Sequence, residues 1–181
     1  MVKDMTEANL RSAYAGESQA HMRYLIYMDM AKKEGFPNVA RLFHAAAYAE
    51  RVHASTHFKH IKTKGDFQTV GGAIFGTENT SEALQAGIDG ESFEISEMYP
   101  AYRSVAQAQN EKGADTSFRW AMEAEKNHLG LYQKAKAAVD QRKDADFGPL
   151  HVCPVCGHTV EGDVPHKCPV CNTPGAQFKT F

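Results

Sequence analysis

Apolar positions recur at steps of three and four over four long stretches of the chain, the pattern of amphipathic helices. Over residues 6–34, Leu10, Tyr14, Glu17, His21, Tyr24 and Met28 share one face, and Gly35-Phe36-Pro37 ends the helix. A second helix is predicted from about Asn38 to Lys64, with Leu42, Phe43, Ala46, Ala49, Val52 and Ile61 as its apolar positions and Gly65 as its stop. Residues 65–78 hold Gly65, Gly71, Gly72 and Gly76 without a helical stripe and read as a long crossover. A third helical region covers about 80–111, divided around Gly87-Ile88-Asp89-Gly90 and bent at Pro100, which lacks a backbone N–H. A fourth helix runs from about 115 to 142.

Short links within pairs and a long link between pairs predict a mainly α fold. It is a four-helix bundle of ferritin-like connectivity over residues 1–146. From residue 147 to 181 the chain is rich in Pro, Gly and Val and has no helical stripe, so it forms a second, very small domain.

The two halves of the bundle resemble each other. Gly16-Glu17-Ser18 recurs as Gly90-Glu91-Ser92 at an offset of 74. Phe43, Ala46, Ala49, Glu50, Arg51 and His53 recur as Phe118, Ala121, Ala124, Glu125, Lys126 and His128 at an offset of 75. A one-residue difference in connecting length reconciles the two offsets. Each half thus supplies one Glu from its first helix and a Glu-x-x-His from its second, where i,i+3 spacing keeps both side chains on one face. Set among Phe and Ala, they point inward, and four buried carboxylates repel one another unless cations neutralise them. This is the pattern of di-iron carboxylate bundles. Glu94, one turn after Glu91, has Ala20 as its counterpart, so the site has a fifth Glu on one side only. Glu94 is expected to make the two metals inequivalent and to compete with His53, the carboxylate favoured by ferric and the imidazole by ferrous iron.

All four cysteines lie in the tail, as Cys153-Pro154-Val155-Cys156 and Cys168-Pro169-Val170-Cys171. Four thiolates at this spacing predict a tetrahedral site for iron or zinc, and in so short a domain the metal supplies folding energy. Gly157 and Asn172 suit the left-handed turn that follows each pair. A redox-active bundle on the same chain favours iron over zinc.

Composition excludes more than it assigns. The chain has 20 Lys+Arg against 22 Asp+Glu, a formal charge of −2, which gives no support for nucleic-acid binding. Residues 1–146 carry 18 basic and 20 acidic residues; with five glutamates inside the bundle, 15 acids remain against 18 bases. No apolar run suggests a membrane span, and the N-terminus lacks the apolar core of a signal peptide, so a cytoplasmic protein is expected.

Glu17, Glu50-x-x-His53, Glu91-x-x-Glu94, Glu125-x-x-His128 and the two Cys-Pro-x-Cys pairs together resemble the rubrerythrins over almost the full chain. The tail is similar to rubredoxin. The resemblance implies an oxidative-stress enzyme, a peroxidase reducing hydrogen peroxide to water at a carboxylate-bridged di-iron site. Electrons would come from NADH through a separate NAD(P)H-dependent reductase or a rubredoxin and enter at one iron held by Cys153, Cys156, Cys168 and Cys171. By position, Glu50 and Glu125 would bridge; Glu17, Glu94 and His53 would serve one iron, and Glu91 and His128 the other. Tyr24 and Tyr99 would hydrogen-bond to the ligands. The rival reading is a ferroxidase or iron-storage protein on the same bundle.

The fourth helix continues well past His128, by roughly 20 Å at 1.5 Å per residue. That distance predicts a head-to-tail homodimer, with the tetrathiolate iron of one subunit beside the di-iron site of the other.

Overall fold

The computed structural model describes residues 3–62 and 74–181. Residues 63–73, most of the expected crossover together with Gly65, Gly71 and Gly72, lie outside the described residues. α1 (Asp4–Lys33) and α2 (Pro37–Phe58) form the first hairpin, with Gly35 at φ 86° in the turn and Pro37 opening α2. α3 (Thr80–Phe93), a π turn (Glu94–Met98) and α4 (Tyr99–Ala108) make the third rod, and α5 (Lys112–Val139) the fourth. The tail contributes β1 (Leu150–Val152), β2 (Thr159–Glu161) and β3 (Lys179–Thr180), an antiparallel sheet in the order β2-β1-β3.

Two boundaries differ from expectation. α2 stops at Phe58, because His60 and Ile61 close it with tighter i→i−3 backbone bonds to His57 and Phe58. The third rod is not divided at Gly87–Gly90. α3 runs through these glycines, and Gly87 serves packing: a Cβ there would lie 2.9 Å from the Tyr132 ring. The interruption is the π turn just before Pro100, whose ring crowds the carbonyl four residues back, that of Ser96.

The π turn also corrects the reading of the repeat. Glu17 pairs with Glu91 at an offset of 74, but Tyr24 pairs with Tyr99 at 75. The extra residue therefore lies inside the third rod, between Glu91 and Tyr99, rather than in a connection. A π turn is the helical means of absorbing one residue, and here it rotates Tyr99 fully into the core.

The tail returns along the bundle instead of continuing past it. After α5, Arg142 takes a left-handed conformation (φ 59°) and the chain reverses. The Asp144 carboxylate then accepts from the backbone N–H groups of Asn38 and Val39 at 2.8 and 3.2 Å, capping α2 from a distant part of the chain. Arg41 donates to the Phe147 carbonyl at 2.8 Å. Phe147, Leu150 and Val152 join Leu42, Phe43 and Tyr132 in one core cluster. Each such side chain contributes roughly 1.5–3 kcal/mol on burial, so the tail is anchored rather than tethered. A second cluster of Leu10, Tyr99 and Phe118 fills the other end of the bundle. Among the described residues no helix is long and apolar enough to cross a membrane.

Candidate metal centres

The inward faces of the helices bring six of the expected side chains together. Glu17, Glu50, His53, Glu91, Glu125 and His128 are each at most 2% exposed. Their ligand atoms form two groups, Glu17–Glu50–His53–Glu125 and Glu50–Glu91–Glu125–His128, each with one atom per residue within 4.8 Å of the others. Glu50 and Glu125 belong to both. Glu94 stands apart: it opens the π turn, is half-buried and joins neither group.

The donor set fits two cations. Among the described residues Glu17 Oε2 and Glu50 Oε1 are buried without a hydrogen-bond partner, a costly state for carboxylates that a metal ion relieves. Burial, reinforced by the neighbouring carboxylates, holds Glu50 and Glu91 well above the usual carboxylate range, and burial together with Glu17 does the same for Glu94. Burial also acts to raise Glu125, but His53 and His128 outweigh it and hold that carboxyl low. Burial opposes a charge on His53 too, yet Glu125, 2.8 Å from its Nδ1, raises the imidazole to about 9. Bound cations would replace this borrowed proton.

The tail sits directly on this site. The Thr159 hydroxyl donates to the Gly157 carbonyl at 3.1 Å, so its oxygen accepts from His128 Nε2–H at 2.8 Å. That places a proton on Nε2 and leaves Nδ1 facing the carboxylates, where a bound cation would take its lone pair. His53 Nε2 faces Gly157, where an added Cβ would come within 2.1 Å of it. Asn127 Nδ2 meets His158 Nδ1 at 3.1 Å. The expected distance between tail and site, measured along an extended fourth helix, is therefore removed by the reversal at Arg142.

The four sulfurs converge as predicted. Cys153 and Cys171 Sγ are 3.6 Å apart and Cys156 and Cys168 Sγ 3.5 Å, close to the edges of a tetrahedron with metal–sulfur bonds of about 2.3 Å. Gly157 (φ 78°) and Asn172 (φ 64°) adopt the left-handed turn after each pair, with N–H bonds to Cys153 and Cys168 carbonyls. The Cys156 thiol, with backbone N–H groups of the first turn, brings Cys153 down to about 4. Burial lifts Cys168 to about 11, a conflict within the thiol cluster that metal binding resolves.

Both expected tyrosines take part, crosswise. Tyr24, from the first half, donates to Glu91 Oε1 at 3.0 Å, and Tyr99, from the second, donates to Glu17 Oε1. Burial keeps both phenols protonated by raising them well above their usual range. Sequence reasoning missed two further buried residues, His57 and Tyr132. They are related by the same offset of 75. His57 Nε2 meets Tyr99 Oη at 3.2 Å and its Nδ1 meets Ser117 Oγ at 2.7 Å, while the Tyr132 ring packs 5.6 Å from that of Tyr24. Burial lowers His57, so it is neutral.

Comparison with known proteins agrees with this architecture. The Rubrerythrin family model matches residues 8–136, and the model for the rubrerythrin rubredoxin-like domain matches residues 151–179. Rubrerythrin-2 of Clostridium acetobutylicum is 44% identical over 98% of this chain and 97% of its own. Nigerythrin of Nitratidesulfovibrio vulgaris is 32% identical over 97% of this chain and 86% of its own. The solved structure of fully reduced, all-ferrous nigerythrin superposes with a TM-score of 0.87 at 31% identity, covering 100% of this chain and 89% of that one. A bacterioferritin from Rhodobacter capsulatus, at 17% identity and TM-score 0.68 over 78% of this chain and 89% of its own, shares the bundle fold alone.

Proposed function

The chain belongs to the rubrerythrin family, and from that premise we propose that it is a peroxidase that reduces hydrogen peroxide to water. The observation that carries the proposal is contact between two metal centres of different kinds. A buried six-ligand carboxylate–histidine site lies against the turn of a four-cysteine site in the same chain. An iron-storage protein has no evident use for a one-electron thiolate centre at this position.

In this reading Glu50 and Glu125, the residues common to both ligand groups, would be shared by the two irons. Glu17 and His53 would hold one iron, and Glu91 and His128 the other. Glu94 would be the carboxylate that competes with His53 for the first iron, favoured when that iron is ferric; it opens the π turn, a widened segment of its helix. When bound, the irons supply two electrons and Lewis acidity for breaking the O–O bond. The residues do the rest. The carboxylates keep the buried site near electrical neutrality, Tyr24 and Tyr99 hold Glu91 and Glu17 in orientation, and Thr159 sets the His128 tautomer.

Cys153, Cys156, Cys168 and Cys171 would hold the iron at which electrons from NADH, through a separate reductase or a rubredoxin, would enter. Gly157 and Thr159 provide a short path from the first cysteine turn to both histidines within one chain. A homodimer remains part of the proposal, but the route no longer requires one.

Anaerobic stopped-flow tests this reading. The reduced protein is mixed with hydrogen peroxide and, separately, with dioxygen. Fast oxidation by peroxide and slow oxidation by dioxygen is the expected result; the reverse preference assigns a ferroxidase or oxidase.

A further inference from the structure

A tetrathiolate site takes its electrons from another molecule, and the surface beside this one carries a charge that selects the donor. Resting on the reading that electrons enter at the four cysteines, we propose that the cavity between α2, the start of α5 and the first cysteine turn is the docking site of an acidic one-electron carrier protein.

The cavity has a volume of about 900 Å³. Arg51 and Lys59 of α2 and Lys112 of α5 line it, and no carboxylate does. All three cations are exposed, and among the described residues none of them forms an ion pair. Arg51 rests over the Tyr48 ring, 4.7 Å from its centroid, which holds the side chain without neutralising it. The acids of the surrounding helices are already engaged. Glu50 and Glu125 belong to the buried ligand groups, Asp115 holds Arg103 at 2.8 Å, and Glu123 holds Lys126 at 2.7 Å. Glu111, which precedes α5, accepts from the Lys3 backbone N–H at 3.1 Å and makes no side-chain cap bond to its own helix. The positive end of the α5 dipole therefore adds to the field of the three cations.

Charge alone would also suit a small anion; the apolar groups decide for a protein. Arg51 and Lys59 line a second depression of about 460 Å³ beside Tyr14 and Phe58. Phe58 is 60% exposed, and its ring centroid lies 5.3 Å from that of Tyr14. Across the cavity, Val155 in the cysteine turn is 38% exposed. A small anion leaves these side chains in water. A protein with carboxylates around an apolar centre covers them and pairs with the cations.

The position suits electron transfer. Pro154 and Val155, which separate Cys153 from Cys156 in the sequence, form one wall. Trp120 forms another and packs on the cluster of Cys153, Cys156 and Cys168. A carrier seated here is separated from the sulfurs by one indole ring and one turn of backbone. The carrier is oxidised by one electron and the tetrathiolate iron is reduced by one; no bond or proton changes hands.

Docking is tested with zinc in place of iron, so that no electron moves. The 15N-labelled, zinc-loaded protein is titrated with an unlabelled, zinc-loaded rubredoxin of strongly negative net charge. The chain has one tryptophan, so a single indole N–H signal reports on the cavity. That signal and those of Lys59, Lys112, Gly113 and Val155 are expected to shift, and affinity is expected to fall about tenfold between roughly 20 and 300 mM salt. Arg51→Glu, Lys59→Glu and Lys112→Glu are each expected to weaken binding about threefold, and the triple variant at least about tenfold. Lys33→Glu, at the far end of α1, is expected to bind as wild type. Melting temperature and metal content are expected to stay near wild type in all four. In the iron-loaded protein, the three cavity substitutions are expected to slow reduction of the tetrathiolate iron by reduced rubredoxin to the same degree. No shift at low salt, shifts confined to another face, or wild-type affinity in the triple variant overturns the proposal. So do shifts produced by concentrating the labelled protein alone, which assign the face to a second copy, and tighter binding of heparin at the same residues, which assigns it to a polyanion. A protein that accepts the electron here but does not consume peroxide overturns the peroxidase reading and leaves the docking site standing.

Discussion

Gly157→Ala tests the contact between tail and bundle with a single methyl group. The added Cβ would stand 2.1 Å from His53 Nε2, about 1.3 Å short of the 3.4 Å at which contact becomes ordinary. The His53 ring cannot yield, because it is fully buried and its Nδ1 is held at 3.0 Å by Glu50 and 2.8 Å by Glu125. The tail must lift instead, drawing Thr159 away from His128. Backbone strain is a separate cost: at φ 78° an alanine loses about 1–2 kcal/mol. Gly162→Ala isolates that cost, since Gly162 has φ 85° and nothing within 4 Å of its Cβ position. Gly162→Ala is expected to lower Tm by roughly 2–8 °C. Gly157→Ala carries the same strain plus about 1–3 kcal/mol of overpacking, and so a clearly larger drop. Only Gly157→Ala should slow reoxidation of the tetrathiolate iron after peroxide is added to reduced protein. Equal loss of stability and equal reoxidation in both variants would refute the docked arrangement.

Other consequences follow from the same geometry. If electrons pass within one chain, mixed dimers of a variant without the four cysteines and a variant without the bundle ligands regain no NADH-driven turnover; recovered turnover in verified mixed dimers would establish the inter-subunit route. Oxidised and reduced crystal structures should differ at one iron, with Glu94 bound in the oxidised form and His53 in the reduced form, and identical ligands in both would end that assignment. Three carboxylates and His53 should make the metal-free protein lose stability as pH rises from 5 to 9, outweighing the opposite contributions of Cys153, held at about 4, and of His57, held below its ordinary value. Glu50, Glu91 and Glu94 are raised in the fold above their ordinary value of 4.5, and His53 is raised from 6.5 to about 9, so the folded state binds these protons more tightly and forfeits that advantage as they leave. Glu125, held low, contributes fully above pH 4.5 and does not change this slope. Urea denaturation at both pH values, with and without metal, measures the effect, and a flat metal-free profile would contradict it.

The ligand positions were legible because they repeat. One Glu-x-x-His is an ordinary solvated helix face, but two copies in register, each with a partner Glu, leave few alternatives to a shared core site. The cysteine turns were equally legible, down to the left-handed Gly157 and Asn172, because their conformation is set locally. What failed depends on contacts distant in sequence. The return of the tail needs Arg142 to reverse the chain and Asp144 to cap a helix more than a hundred residues away, and no local pattern encodes either. The third-rod glycines looked like a break because glycine weakens helices, yet Gly87 makes room for the Tyr132 ring. His57 lies outside the repeated ligand motifs. The signal that finds it is the repeat itself, carried one step beyond the ligands: its partner is Tyr132, and the changed offset between Glu17–Glu91 and Tyr24–Tyr99 marks the π turn.

The most direct test of the central claim is the colour of the tetrathiolate iron. Fully reduced protein is mixed anaerobically with a limiting amount of hydrogen peroxide, and the red absorbance of the ferric tetrathiolate is followed with time. In the intact protein the colour should return in step with peroxide consumption, and it should fail to return in a variant lacking Glu125 and His128 but retaining the tetrathiolate iron. Return at the same rate in that variant would mean that peroxide oxidises the sulfur site directly, and the buried carboxylate–histidine site would not be the seat of the reaction.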